Sequence, residues 1–295
     1  MLLCGAIALS GCATTKTDRE NVQMTEVVTY KRVDDGTLNV IVQGKPWTSE
    51  HYEMEAGSDG TWTVSINVTP SQPELNSREI LYQLGPGMKP VSYSEDSTGP
   101  SPVKFYIGFM PGKASIRVKQ GDAAEALSEL EGDFDAVMSE FLLNDPRLGL
   151  FSLNGLIARK YVESGQTGPV EYKVLGGQQP LVVNELDNDS IEHEGAELTL
   201  RHFTMDATGG RFVQHVWTRA DNMRLVKVQI PRALDAANTD YPGAATLRAK
   251  RTKKKAAPTA QDKADAAASG ASDASGQAAG DDAANQDGAR DASAQ

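Results

Sequence analysis

Thr61-Trp62-Thr63-Val64-Ser65-Ile66-Asn67-Val68-Thr69 is the stretch whose reading decides the fold. Trp62, Val64, Ile66 and Val68 recur at every second position with polar residues between them, the period of a strand with one buried and one wet face. Upstream, Gly57-Ser58-Asp59-Gly60 is turn chemistry, and His51 to Glu55 precedes it as a partner strand. Further back, Val28, Tyr30 and Arg32 alternate with Val27, Thr29 and Lys31, then Asp34-Asp35-Gly36 predicts a turn and Leu38 to Val42 a second strand, together a hairpin. Downstream, strands are expected at Ile80 to Leu84, Val91 to Ser94, Val103 to Met110 and Ala114 to Lys119. Gly85-Pro86-Gly87, Gly99-Pro100 and Pro111-Gly112 separate them.

Near Gly121 the period changes. Ala123, Leu127, Leu130, Phe134, Val137, Met138 and Phe141 are spaced by threes and fours, which predicts an amphipathic helix that Gly132 interrupts. A second helix is expected from Asp145-Pro146, with Asp145 as N-cap and an apolar face of Leu148, Phe151, Leu156, Ile157 and Tyr161. Strands return at Val170 to Leu175, Leu181 to Leu186, Leu198 to Thr204, Phe212 to Thr218 and Leu225 to Ile230, with turns at Asp206 to Gly210 and Ala220 to Asn222. The expectation is an α+β domain over residues 24–231, mainly antiparallel β. It is a curved meander or incomplete barrel of about 10–12 strands, with a helical insertion near residues 122–161.

Both flanks read differently. Residues 232–255 are expected to be a basic linker, since six of the ten residues from Thr246 to Lys255 are Lys or Arg. From Ala256 onward sixteen of forty residues are Ala, mixed with Asp, Ser, Gly and Gln, a composition that cannot offset its ordering entropy and predicts disorder over residues 256–295. The formal net charge of −11 argues against a nucleic-acid partner, whose phosphates demand a basic face.

At the start, Leu2, Leu3, Ala6, Ile7 and Ala8 form an apolar run too short to span a bilayer but suited to a secretory signal over residues 1–11. Leu9-Ser10-Gly11-Cys12 then resembles the bacterial lipobox, an aliphatic residue and two small residues before a Cys. The resemblance implies that Cys12 is acylated on sulfur, that the chain is cut before it, and that the new amino group is acylated with a fatty acid such as palmitate. Several acyl chains make a stable membrane anchor where one does not. Residues 13–23 then read as a polar tether, which with Cys12 gives a lipidated segment over residues 12–23. In the lipoproteins that this chain resembles, Asp after the Cys retains the protein at the inner membrane, so Ala13 implies the periplasmic face of the outer membrane. No Lys or Arg precedes the apolar run, as a start codon assigned too far downstream would explain. Cys4 would leave with the signal, so the mature chain would keep no thiol for a disulfide, a nucleophile or a thiolate metal site.

The chain carries no Gly-x-Ser-x-Gly elbow, no His-Glu-x-x-His, no phosphate loop and no EF-hand loop, and catalysis is not expected. If Thr208-Gly209 is a two-residue hairpin loop, His202 stands opposite His215 and Leu200 opposite Trp217, near enough for both rings to touch one metal. A metal site needs a third ligand. The sequence supplies none, so the pair is read as surface or partly buried histidines, and no cofactor is expected. Asp34-Asp35 and Asp187-Asn188-Asp189 are read as turns rather than acid pairs.

Strands, then helices, then strands behind a lipobox is an order similar to that of the LolA/LolB-type lipoprotein carriers and related lipid-binding lipoproteins. The resemblance implies an incomplete barrel closed by helices that shelters an acyl chain. The side chains placed to line such a cavity are Trp62, Phe134, Phe141, Phe151, Leu156 and Trp217. The expected function is a membrane-anchored envelope protein that binds a hydrophobic ligand or an envelope protein, without catalysis. The alternatives are a structural lipoprotein with a solid core and a hydrolase whose site is assembled from distant residues.

Overall fold

The structure is a computed structural model that describes residues 27–137, 149–175, 177 and 179–249. The chain first runs up and down through eight strands: β1 (Tyr30–Val42), β2 (Lys45–Gly57), β3 (Trp62–Pro70), β4 (Ser77–Gly85), β5 (Lys89–Thr98), β6 (Val103–Met110), β7 (Lys113–Gln120) and β8 (Ala126–Glu131). A two-residue strand, β9 (Ala136–Val137), and the helix α1 (Leu153–Glu163) follow among the described residues. The second half contributes β10 (Val170–Tyr172), β11 (Val174–Leu175), β12 (Leu181–Glu185), β13 (Asp189–His193), β14 (Ala196–Asp206), β15 (Gln214–Arg219), β16 (Leu225–Ile230) and β17 (Leu234–Asn238). All but β9 and β11 join one antiparallel sheet in the order β10-β12-β14-β15-β16-β17-β1-β2-β3-β4-β5-β6-β7-β8, with β13 beside β14. The ends, β8 and β10, do not pair with each other, so the sheet is open.

The sheet curls because α1 touches both halves of it. Tyr161 packs edge-on against Phe203 of β14 at 5.8 Å, while Leu153, Leu156 and Ile157 face Tyr82 and Leu84 of β4. Those two strands lie seven positions apart in the sheet order, which at about 4.8 Å per strand is ~34 Å in a flat sheet. A helix about 10 Å wide can touch both only if the sheet bends round it. Gly155 allows the close approach: a Cβ there would stand 3.1 Å from the Leu225 Cβ of β16. The concave face and α1 share the main apolar core, which includes Leu38, Met54, Val64, Ile66, Ile80, Phe151, Leu156 and Val216.

The antiparallel β-rich class and the alternation from Trp62 to Val68 stand as expected, with β3 burying all four alternate residues. Four expectations are corrected. First, Asp34-Asp35-Gly36 is no turn: β1 runs straight through it with one bulge between Arg32 and Asp34. Gly36 is there for space, since a Cβ would sit 2.5 Å from the Asn238 side chain. Asp34 is buried, accepting hydrogen bonds from the Leu225 amide at 3.0 Å and the Tyr52 hydroxyl at 3.3 Å. Burial pushes its pKa up to about 6. The hairpin turn falls instead at Gln43-Gly44, both with positive φ (49° and 78°), as tight β-hairpins require.

Second, the predicted helix after Gly121 is strand over residues 126–131, paired in register with β7 from Lys113↔Glu131 to Val118↔Ala126. The spacing of threes and fours misleads because Leu127 has no core to face: it is 71% exposed. Third, the helix that carries Leu156, Ile157 and Tyr161, α1, begins only at Leu153; the expected cap Asp145-Pro146 and Phe141 lie outside the described residues. Fourth, the domain does not end at residue 231. β17 sits between β16 and β1, and a 3-10 turn, Pro242–Thr246, packs on the convex face of the second half. The buried Lys227 holds that turn, donating to the Ala244 and Leu247 carbonyls at 3.1 Å each and pairing with Asp235 at 2.9 Å. The remaining gap between about twelve strands and those found comes from the two-residue β9, from the break of the expected Val170 to Leu175 strand into β10 and β11, and from β13, whose first residue was read as part of a turn.

Candidate functional site

The concave side, where a ligand cavity was expected, is occupied. β2 presents Glu50, Tyr52 and Met54 inward, so a carboxyl stands in an apolar row, with Leu38 and Val68 as its cross-strand neighbours. Glu50 accepts three hydrogen bonds of 3.0 Å, from the amides of Phe151 and Ser152 and from the Ser152 hydroxyl. These donors belong to the residues that lead into α1, where the first amides of any helix lack partners of their own. Burial pushes the Glu50 pKa above its usual value, and the donors together with the Arg78 charge pull against that shift. Arg78 itself is forked onto Glu95 at 2.7 and 3.0 Å. Beneath α1, between Tyr82, Leu84, Met88 and Ile157, the free volume is about 10 Å³. That is barely room for one water.

The expected cavity residues do not share one space. Phe151 and Leu156 lie in the concave core with Trp62, whose ring lies under the Arg159 guanidinium at 5.8 Å. Phe134 sits at the margin, edge-on to Phe109 at 6.4 Å with Lys173 over its ring. Trp217 is on the opposite, convex face, in a second cluster with Ile191, Leu200, Val226, Tyr241 and Leu247. Phe141, like Cys12, lies outside the described residues.

The convex face differs between the two halves of the sheet. Over β14 to β17 it is covered by the turn that Lys227 holds. Over β3 to β7 it is open, and a groove of about 640 Å³ runs across it. Strand register sets two rows of side chains side by side: Ser65, Leu81, Ser94, Tyr106, Arg117, and Asn67, Glu79, Asp96, Lys104, Lys119. Lys104 pairs with Asp96 at 2.5 Å, and the Arg117 guanidinium stacks on Tyr106 at 4.5 Å. This groove was missed because its residues are the polar phase of strands read for their apolar phase.

The two histidines meet, but not in the predicted register. β14 and β15 are joined by a longer link than two residues, so His202 faces Trp217 and Thr204 faces His215. The shift is even, which keeps both rings on the same face, and they touch diagonally at 3.0 Å, His202 Nε2 to His215 Nδ1. Asp189, at the start of β13, stands 3.1 Å from His202 Nδ1 and accepts the Trp217 indole N–H at 2.9 Å. It is therefore no turn residue but the base of a buried chain of polar groups. With Asp189 ionised, His202 Nδ1 carries the proton, its Nε2 accepts, and His215 Nδ1 donates. Among the described residues no three His, Cys, Asp or Glu groups converge on a metal position. The chain joins β13 to β15, and both histidines are buried.

Burial holds the His215 pKa below the ordinary 6.5. The unfolded chain therefore binds more protons in acid, and the stability gained by keeping His215 neutral is full above pH 6.5 and lost as the pH falls through it. Urea unfolding at about pH 8 and about pH 5 should show wild type losing its advantage over His215→Gln in acid. A difference that stays constant or grows would contradict this placement.

The chain matches no protein-family model and no curated protein. Among solved structures it is similar to a beta-barrel-like protein of a domain of unknown function, DUF1849, from Brucella abortus. The TM-score is 0.44 and the identity 7%, over 69% of this chain and 94% of that one.

Proposed function

We propose that this protein is a lipid-anchored, non-catalytic binding protein of the bacterial cell envelope. Cys12 holds it at the periplasmic face of the outer membrane, and a solid β-rich body presents its convex groove to an envelope ligand or partner. The observation that carries this reading is the filled interior: α1 occupies the concave side and leaves about 10 Å³ beneath it. An acyl ligand entering there would strip Glu50 of its three donors, and a buried carboxylate without partners is costly. The groove, at about 640 Å³, is within the usual range of ligand sites. The lipobox residues Leu9 to Cys12 support the anchor.

A second reading, a carrier that takes an acyl chain when α1 swings away, is favoured by the concave face itself, where Val64, Ile66, Ile80 and Val216 would line the vacated space. A fluorescent fatty acid distinguishes the two. The solid body gives no saturable signal on titration, whereas saturable binding displaced by palmitate would establish the carrier. For the anchor, Cys12→Ala should abolish incorporation of labelled palmitate and release the protein from membranes. Label retained by that variant would refute it.

A further inference from the structure

We propose that the convex groove binds a neutral oligosaccharide, one sugar ring seated over Ser94; this rests on the reading of the groove as the binding surface. The seat arises from side-chain size. Leu81 of β4 and Tyr106 of β6 are both partly exposed, at 41% and 37%, and both stand opposite Ser94 of β5 between them. Side chains two strands apart are about 9.6 Å apart at their bases, and the small Ser94 leaves that interval open. The slot has the width of one saturated ring in contact on both sides. Tyr106 is backed from β7 by Arg117, which fixes the ring as a wall.

The polar groups beside the slot point to the same class. Asn67, Glu79 and Lys119 line the groove, and among the described residues none of their side chains has a hydrogen-bond or ion-pair partner. Together they offer an amide that donates and accepts, a carboxylate that accepts and an ammonium that donates, which suits a ring carrying several hydroxyls. The mixture of signs gives a polyanion no basic face. Leu81 and Tyr106 alone are too little apolar surface for an acyl chain. An extended peptide would need free backbone groups, and here those of β4, β5 and β6 are consumed in ladders on both sides.

The test uses the full-length chain, purified from membranes in a sugar-free detergent and titrated calorimetrically with chitotetraose and cellotetraose. Saturable binding of at least one is expected. Ser94→Trp, which fills the slot, should weaken it at least about tenfold, and Tyr106→Ala, which removes a wall, at least about fivefold. Both side chains are on the convex face, so circular dichroism and Tm should match wild type and confirm that each variant folds. Binding of neither sugar, or binding that both folded variants retain, overturns the proposal. If neither sugar binds but a photo-crosslinker at position 81 captures an envelope protein in cells, the oligosaccharide is wrong while the groove remains a binding surface. If the crosslinker also captures nothing, the binding reading fails with it.

Discussion

The Glu50 carboxyl, closed in by Leu38 and Val68 and holding the amides of Phe151 and Ser152, is the constraint on which the rest of the fold depends. Each side of this contact solves the other's problem. A carboxylate in an apolar row has lost its water and needs donors, and a helix entering a buried space brings amides with no acceptor of their own. The net worth of such a buried contact is modest, but removing one partner leaves the other unsatisfied, which makes the arrangement specific. It determines where α1 sits, and α1 determines how far the sheet bends.

From that seat the division of faces follows. Among the described residues the concave side is apolar and nearly filled beneath α1, so the binding surface proposed for this protein is convex. One half of the convex side is sealed by Lys227 and the turn that it holds, and beneath that turn lie Trp217 and the Asp189-His202-His215 chain. The other half presents two rows of polar side chains fixed by strand register. A binding surface made from the wet phase of a rigid ladder needs no moving part. The carrier reading, by contrast, requires α1 to leave Glu50 and so to strip the buried carboxyl of its three donors.

How much of this was legible depends on whether the signal was local. Trp62 to Val68 announces its strand because the period and the buried face are both set within one segment. The Leu156, Ile157 and Tyr161 face of α1 was legible for the same reason. Residues 126–131 were not, because an edge strand with both faces exposed has no apolar period, and leucines at chance spacing imitate a helix. The His202 and His215 contact survived a wrong register only because the error was two residues rather than one. Of the functional groups, Glu50, Asp34 and Lys227 gave one overlooked signal. Each is a charged residue standing among buried strand positions: Glu50 in line with Tyr52 and Met54, Asp34 with Leu38 and Val40, and Lys227 in a strand whose six residues are all buried. The convex groove gave none, since it exists only where strands far apart in sequence bring Leu81, Ser94 and Tyr106 into one row.

Native-state hydrogen exchange of the Phe151 and Ser152 amides tests the filled interior most directly, because both protons are held by Glu50 and are released only if α1 separates from β2. If the concave side is a permanent core, these amides exchange through global unfolding, with the same opening free energy as the amides of Val64 and Ile66 in β3. If they exchange at a markedly lower free energy while β3 stays protected, α1 leaves the sheet in the native state. The solid body would then be contradicted.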